Sequence, residues 1–177
     1  MKKGFLLLTF IIINLFPATF ASHFIACESK YALCTTAACT PIAGRKDLVS
    51  CKCDVKTGYS AATKQCKPVK ETHKGQLIYS RYHPVTSYAV CSNDRPWAWC
   101  LDKPCIIDKN DPTKAMCACS VVKNLGKYVI VTDIYNKSTC TTGIISSATV
   151  QQITQITNFL KTKNVIETPS IKVINKK

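Results

Sequence analysis

Two C-x-C pairs, Cys51/Cys53 and Cys117/Cys119, are the residues of this sequence with the clearest potential for chemistry. Neighbouring thiols could exchange disulfides through a thiolate, which would make each pair a redox centre. On a β-strand, however, residues two apart point to the same side, so each sulfur can reach a different partner. A bond within the pair would also close a very small ring. The pairs are therefore predicted to be structural.

Both pairs lie inside matching runs of six cysteines. The middle of each run has the spacing C-x4-C-x11-C-x-C, and only the flanking gaps differ. Two equal sets predict a duplicated module held by disulfides, with the same pairing in both copies. Three of the fifteen pairings of six cysteines contain a bond within the C-x-C pair, which leaves twelve open. The cysteines predicted to form disulfides are Cys27, Cys34, Cys39, Cys51, Cys53, Cys66, Cys91, Cys100, Cys105, Cys117, Cys119 and Cys140.

Alternating residues around the C-x-C pairs predict the strands that carry them. In the first run, Val49, Cys51, Cys53 and Val55 share one face, and the second run repeats the pattern. A turn between the third and fourth cysteines of each run would close a hairpin. A further strand is predicted over 127–135, because β-branched and aromatic residues are enriched there.

The segment after the last cysteine changes character. Thr149 and Gln152 have the spacing of a capping box, and apolar residues then recur at helical spacing, so a helix is predicted from about Val150 to Lys163. The fold class expected is a small disulfide-rich, mainly β protein, with two homologous six-cysteine modules in tandem plus one C-terminal α-helix.

The N-terminus predicts export. Lys2 and Lys3 precede an apolar run over 4–16, and small residues favour cleavage after Ala21. The run is short for a spanning helix, which needs roughly 20 apolar residues, and no later segment is apolar enough to cross a bilayer. The expected location is the periplasm or the medium. The predicted organisation is a signal peptide (1–21), module one (22–66), a linker (67–75), module two (76–140), and a helix with a basic tail (141–177).

The chain is basic, with 24 Lys and Arg against 10 Asp and Glu and a formal net charge of +14. Loss of the signal removes two lysines and no acids, so the mature charge falls from +14 by two, to +12. Almost all cations are lysines, which are hydrated point charges, whereas specific phosphate or carboxylate recognition favours arginine. The expected partners are therefore an extracellular anionic polymer, a glycan or a protein, without specific nucleic-acid recognition. The alternative is that lysine is simply background composition.

The most suggestive stretch for binding runs from Tyr79 to Trp99. Aromatic rings and two arginines interleave there: Tyr79, Arg81, Tyr82, Tyr88, Arg95, Trp97 and Trp99. Within it, Tyr82, Arg95, Trp97 and Trp99 are the candidate ligand-binding residues, because flat rings stack on sugars or side chains and arginine adds cation–π contact. The alternative is core packing, since Tyr31 and Leu33 occupy the equivalent positions of the first run.

Familiar catalytic and metal-binding patterns are missing from the sequence. It has no zinc-type cysteine spacing, no G-x-S-x-G, no H-E-x-x-H and no phosphate-cradling glycine loop. The three histidines, His23, His73 and His83, are scattered. No catalytic residue, cofactor or metal is therefore predicted, and the protein is not expected to be an enzyme.

The short loop between Cys34 and Cys39 offers an alternative function. Inhibitory loops are often held rigid by flanking disulfides, because preorganisation tightens binding. The equivalent loop between Cys100 and Cys105 differs at every intervening position. The alternative hypothesis is a protease inhibitor, or a secreted effector that acts on another organism's enzyme.

One combination of motifs carries a resemblance. Residues 34–42 (CTTAACTPI) followed by 51–58 (CKCDVKTG) resemble small exported cysteine-rich proteins of bacteria. The resemblance covers the cysteine modules without the C-terminal helix, and it implies no activity, cofactor or substrate. The function expected from the sequence is that of an exported, non-catalytic binding protein built on duplicated disulfide modules.

Overall fold

The computed structural model describes residues 23–163 and 171–175, so the predicted signal peptide and its cleavage site after Ala21 lie outside the described residues. The described part is mainly β, with one α-helix. Its elements are β1 (Ile25–Leu33), β2 (Ala38–Ile42), β3 (Arg45–Ala62), β4 (Lys70–Thr72), β5 (Gly75–Arg81), β6 (Ser87–Cys91), β7 (Trp97–Trp99), β8 (Pro104–Ile107), β9 (Lys114–Val122), β10 (Tyr128–Val131), β11 (Ile144–Ile145), α1 (Val150–Thr162) and β12 (Lys172–Val173).

Nine of the strands form one sheet: eight follow the order β11-β2-β3-β1-β5-β8-β9-β7, and the ninth, β4, pairs with β5. Strand β3 also pairs with β9, so β3, β1, β5, β8 and β9 form a closed circuit of paired strands. The remaining strands make a small second sheet, β10-β6-β12. Both runs of cysteines contribute to the large sheet.

The two C-x-C pairs lie opposite each other at the centre of the large sheet. Cys51 pairs with Cys117 in the antiparallel register of β3 and β9. Cys51 and Cys53 are buried while Lys52 is exposed, so the predicted alternation on this strand is confirmed. The inward cysteines form the main core cluster together with Ala32, Ile78 and other small apolar residues.

The disulfides are nested in the same way in both runs: first to sixth, second to fifth, third to fourth. This confirms the predicted identical pairing, and neither C-x-C pair is bonded to itself. The innermost bonds join residues directly opposite on paired strands, with Cα atoms 4.0 and 4.1 Å apart. Each native disulfide commonly contributes about 2–4 kcal/mol to stability. The six bonds are Cys27–Cys66, Cys34–Cys53, Cys39–Cys51, Cys91–Cys140, Cys100–Cys119 and Cys105–Cys117.

Strand pairing repeats itself at a constant offset along the chain. Cys51 and Cys117 are 66 positions apart, and three strand contacts recur when their residues are shifted by the same number. In the first two, both residues shift forward; in the third, one shifts forward and the other back. The equivalent pairs are Tyr31–Lys56 and Trp97–Val122, Ala32–Ser80 and Ala98–Ser146, and Ile78–Cys105 and Ile144–Cys39.

The strand that follows each cysteine run pairs with a strand of the other run. Strand β5, which follows the first cysteine run, pairs with β8 of the second run; we name this contact the first join. Strand β11, which follows the second run, pairs with β2 of the first; this is the second join. The predicted linker over 67–75 contains β4 and the start of β5, and the boundaries at 66, 75 and 140 stay predictions.

Helix α1 begins where the sequence predicts. Thr149 caps its N-terminus and forms a full capping box with Gln152, and the helix ends at Thr162, one residue before the predicted end. Its inward face, with Ile153, Ile156 and Leu160, packs into a second core cluster that contains residues from both cysteine runs.

The strand predicted over 127–135 is shorter in the structure. Strand β10 ends at Val131, because the Thr132 hydroxyl accepts a hydrogen bond from the backbone N–H of Ile134 (3.1 Å) and donates to its carbonyl (2.7 Å). Such local side-chain bonds offer the backbone a turn in place of a strand. Ile134 is left largely exposed beyond this turn.

Candidate functional site

The predicted aromatic platform is largely internal. Trp97 is only 3% exposed and Tyr82 only 6%, while Trp99 is half-buried between them. The Trp97 and Trp99 rings share a face, as predicted, but meet edge-to-face with centroids 6.3 Å apart. Trp97 also stacks on Tyr128, with centroids 6.2 Å apart. The rings of Tyr82 and Trp97 are covered by neighbouring aromatic residues, as the core-packing alternative expects, and their role in ligand binding stays a prediction.

The polar ends of these aromatics are also engaged. The Tyr82 hydroxyl donates to the carbonyl of Ser147 (3.1 Å), and burial raises the pKa of Tyr82 well above its usual range. Arg95 is the exposed member of the predicted quartet, in the loop before β7. The structure thus brings Tyr82, Trp97 and Trp99 together inside the fold and leaves Arg95 at the surface.

The cysteine sulfurs are close together but chemically engaged. The Sγ atoms of Cys34, Cys100 and Cys119 lie within 4.8 Å of one another, and those of Cys34 and Cys117 are 3.4 Å apart. All of them belong to disulfides, and among the described residues no cysteine is free. A disulfide sulfur is not a thiolate, so in this state the cluster offers neither a metal ligand nor a nucleophile.

The segment between Cys34 and Cys39 is a tight turn. The Ala37 N–H donates to the Cys34 carbonyl (3.0 Å), Ala37 is buried, and the Thr36 hydroxyl donates to the Val131 carbonyl (3.0 Å). Each bracketing cysteine is bonded to β3. The inhibitor hypothesis needs a loop that projects its side chains; here Ala37 is buried, Thr35 and Thr36 are half-buried, and Ala38 is exposed, so the turn projects little side-chain surface.

A basic pocket lies beside the first join. We name it the Arg81 pocket; its volume is about 180 Å³. The pocket has three cationic side chains around a single carboxylate. Its lining residues are Lys64, Gln65, Lys67, Tyr79, Arg81, Asp102 and Pro104.

Backbone pairing at the first join positions the two central charges of the pocket. Ser80 donates its N–H to the Lys103 carbonyl (2.9 Å) and accepts from the Asp102 N–H (3.0 Å). Asp102 adopts a left-handed backbone with φ of 58°, a conformation for which aspartate is enriched relative to most residues. The following strand residue, Arg81, is thereby brought against the Asp102 carboxylate.

Arg81 and Asp102 form a buried ion pair. Arg81 Nη1 lies 2.6 Å from Asp102 Oδ1, and each side chain is 3% exposed. Nη1 also donates to the Ser80 carbonyl (3.0 Å). Burial lowers the pKa of Arg81, and the charge of Asp102 acts in the opposite direction. Because two charges leave water to form this pair, its net contribution to stability is small compared with the cost of breaking it.

The wall that carries the two lysines is fixed at three points. The Thr63 N–H and hydroxyl both donate to Asp102 Oδ2, at 2.8 and 2.6 Å. The Cys27–Cys66 disulfide ties the next part of this segment to β1. The Lys67 ammonium lies over the Tyr79 ring, 5.2 Å from its centroid. The segment is thus held in place although its residues are exposed.

Tyr79 organises cations from two elements. The Arg81 guanidinium carbon lies 5.4 Å from the centroid of the same ring that Lys67 covers. A cation over an aromatic ring gains about 0.5–1 kcal/mol at an exposed site. Since Asp102 is already paired with Arg81, the charges of Lys64 and Lys67 remain in excess. The pocket is suited to holding an anion.

A second and larger cavity, about 420 Å³, lies as an open groove between the β2–β3 turn and the end of β9. Its floor is apolar, with Ile42, Leu48 and Val121, and basic residues stand at its rim. Arg45 at that rim is exposed and pairs with Asp47 at 3.6 Å. The groove has no buried charged group and is therefore the weaker candidate for specific recognition.

The residues predicted from the sequence and the residues of the Arg81 pocket overlap only in part. The interleaving of Tyr79 and Arg81 with other aromatics was visible, yet Asp102, Lys64 and Lys67 were missed. One signal was available: Arg81 lies on a strand that also carries the buried residues Ile78 and Ser80. A charged residue on such a strand calls for a partner of opposite charge. Strand register brings the carboxylate to that arginine, and the Thr63 hydrogen bonds and the Cys27–Cys66 disulfide bring the lysines.

Comparison with known proteins identifies no relative of this chain. No family model matches it, and neither the curated proteins nor the solved structures contain a match. In the described part of the chain, no helix is both long enough and apolar enough to span a membrane. The six disulfides indicate an oxidising environment, as outside the cytoplasm.

Proposed function

We propose that the protein is an exported, non-catalytic binding protein that engages an anionic extracellular polymer, glycan or protein at the Arg81 pocket. The observation that carries the proposal is the charge balance of the pocket, where Lys64, Lys67 and Arg81 face one carboxylate that is already paired. Cationic clefts attract anionic ligands and raise their association rates.

The surroundings of the pocket support an extended ligand. Lys70 and Lys74 follow Lys67 on the same exposed segment, and Glu71 is the acid among them. Glu71 is itself engaged by the Gln76 side chain at 2.7 Å. A polymer that enters the pocket and continues along this segment would meet further cations, with an affinity that falls as salt screens the charges.

The proposal is tested with polygalacturonate, a soluble polymer of ring-borne carboxylates. Replacing both pocket lysines (Lys64→Gln with Lys67→Gln) is expected to weaken its binding about three- to tenfold at low salt, and added salt should weaken it further. The control is the charge-matched pair Lys52→Gln with Lys56→Gln on β3, where both lysines are exposed and neither lines the pocket. Equal losses in the two double variants would contradict a site at the Arg81 pocket.

We further infer that the chain contains two copies of one ancestral unit, as the tandem cysteine runs predict. Two observations support this: the common offset of 66 positions in the strand register, and the left-handed turns at Thr36 (φ 59°) and Asp102 (φ 58°), which the same offset relates. Disulfide mapping of the purified protein by peptide mass should recover the same nested pairing in both runs. A different pairing in either run would contradict the inference.

A further inference from the structure

We propose that the Arg81 pocket recognises a phosphomonoester dianion, the terminal phosphate group of a sugar, a lipid headgroup or free phosphate. The inference rests on the proposed function and names the chemical group that the anion site takes. It is carried by the free edge of a buried arginine, by the charge of the pocket and by its size.

The guanidinium of Arg81 offers a free edge. Both hydrogen bonds that Arg81 donates from its side chain come from Nη1, to the Ser80 carbonyl and to Asp102. Within residues 23–163 and 171–175, Nη2 and Nε have no hydrogen-bond acceptor, although the side chain is only 3% exposed and lines the pocket. Buried donors without acceptors are unfavourable, and the planar fork matches two oxygens of a phosphate. A ligand oxyanion would satisfy this edge.

The charge of the pocket matches a dianion. Lys64, Lys67 and Arg81 supply three positive charges and Asp102 supplies one negative charge, which leaves two positive charges in excess. A phosphomonoester carries about −1.5 to −2 at neutral pH, because its second pKa is near 6. A carboxylate or a sulfate monoester carries −1 and would leave one cation without a counter-charge.

The volume of the pocket suits one tetrahedral group. About 180 Å³ is available, against about 30 Å³ for each water in the liquid. That space holds the phosphate group and the first atoms of its carrier. The carrier would extend past the exposed side chains of Gln65 and Pro104 into solvent.

The pocket is preorganised for such a ligand. Lys67 is held over Tyr79, and Thr63 ties the lysine-bearing segment to Asp102 before any ligand arrives. Prior ordering lowers the entropic cost of binding. The charged and titratable groups that face the site are Lys64, Lys67, Tyr79, Arg81 and Asp102, and no histidine lines it.

The test compares methyl phosphate with methyl sulfate, two tetrahedral monoesters that differ in charge. Binding is measured by calorimetry or by NMR shifts of the intact, disulfide-bonded protein at constant ionic strength. At pH 7.5 methyl phosphate is expected to bind at least about tenfold more tightly, and at pH 5 the difference should shrink to about threefold or less, because the phosphate is then largely a monoanion. Equal affinities at pH 7.5 would overturn the inference.

Variants test whether the preference for methyl phosphate arises at the Arg81 pocket. Lys64→Gln with Lys67→Gln is expected to weaken methyl phosphate binding about tenfold and to remove the preference over methyl sulfate. The charge-matched control, Lys52→Gln with Lys56→Gln, alters exposed residues of β3 outside the pocket and should leave methyl phosphate binding unchanged. Arg81→Lys keeps the charge but loses the fork, so the preference should fall while thermal unfolding reports whether the fold persists. Equal effects of the two lysine pairs would overturn the site.

Three further probes separate the sources of the phosphate: inorganic phosphate, glucose 1-phosphate, and phosphatidylcholine vesicles with and without phosphatidic acid. If the protein binds any of the three probes, and this binding requires Lys64 and Lys67, the inference is supported and the carrier is identified. Binding of none overturns it. Polygalacturonate binding that depends on the same lysines, without a phosphate preference, would leave the proposed function standing and reject this inference alone.

Discussion

The first and second joins of the sheet have the same backbone and different side chains. Ser80 donates its N–H to the Lys103 carbonyl at the first join, and Ser146 donates to the Ala37 carbonyl at the second, both at 2.9 Å. Each join includes a left-handed turn residue, Asp102 or Thr36. The backbone geometry is therefore common to both joins, although only the first join carries the Arg81–Asp102 ion pair.

The side chains at the two joins solve the same problem by different chemistry. At the second join, the hydroxyls of Thr36 and Ser147 donate to the carbonyls of Val131 and Val129 on β10. At the first join, an ion pair between Arg81 and Asp102 takes their place. Since neutral hydroxyls complete the second join, the fold does not require charges here. Two charges buried at the first join are costly, and this cost is consistent with the binding role proposed for the Arg81 pocket.

The largest expected effect comes from removing one charge of the first join. Asp102→Asn keeps the side-chain shape and tolerates the left-handed backbone, but it leaves Arg81 buried without a counter-ion. We expect a loss of about 3–5 kcal/mol in the free energy of unfolding, measured by denaturant titration. At the second join, Thr36→Val removes one neutral hydrogen bond and should cost about 1 kcal/mol. Equal losses in the two variants would show that a buried charge without its partner costs no more here than one neutral hydrogen bond.

An intermediate effect is expected from the two outer disulfides, Cys27–Cys66 and Cys91–Cys140. Replacing either pair by serines should cost about 2–4 kcal/mol, because the closed loops are of similar length, with sequence separations of 39 and 49. Only the first replacement frees the segment with Lys64 and Lys67, so only that variant should lose methyl phosphate binding. The measurements are thermal unfolding and calorimetry, and loss of binding in both variants would contradict the role of the segment.

The smallest effect on stability is expected from transplanting one join onto the other. Arg81→Ser with Asp102→Thr installs the side chains of Ser147 and Thr36 at the first join. Removing both charges together should leave the free energy of unfolding within about 1–2 kcal/mol of wild type, far less than Asp102→Asn alone costs. Methyl phosphate binding should be lost. A double variant as unstable as Asp102→Asn would show that the fold needs the charges.

Elements built from local patterns were predictable. The buried face of Cys51 and Cys53, the capping box of Thr149 and Gln152, and the identical disulfide pairing of the two runs are all confirmed. Each depends on spacing along the chain, which a sequence displays directly. The early end of β10 was missed because a single hydroxyl, that of Thr132, competes with strand pairing.

The candidate site was not predictable in the same way. Tyr82 and Trp97 have the composition of a binding platform, but whether an aromatic ring faces solvent depends on what packs over it. Arg81 meets Asp102 across 21 positions of the chain and the lysines across a different segment, through strand register and a disulfide. None of those distances is encoded in local spacing.

Local sequence is enough to predict the disulfide-rich class, the strand faces around the C-x-C pairs, the capped helix and the excess of positive charge. These follow from side-chain periodicity and composition, which act over a few residues. The three-dimensional fold is needed to see which of the twelve open disulfide pairings forms, which aromatic residues are buried and where the cations of the Arg81 pocket meet. Those outcomes depend on long-range pairing of β5 with β8 and of β3 with β9, in which residues far apart along the chain share one low-dielectric interior.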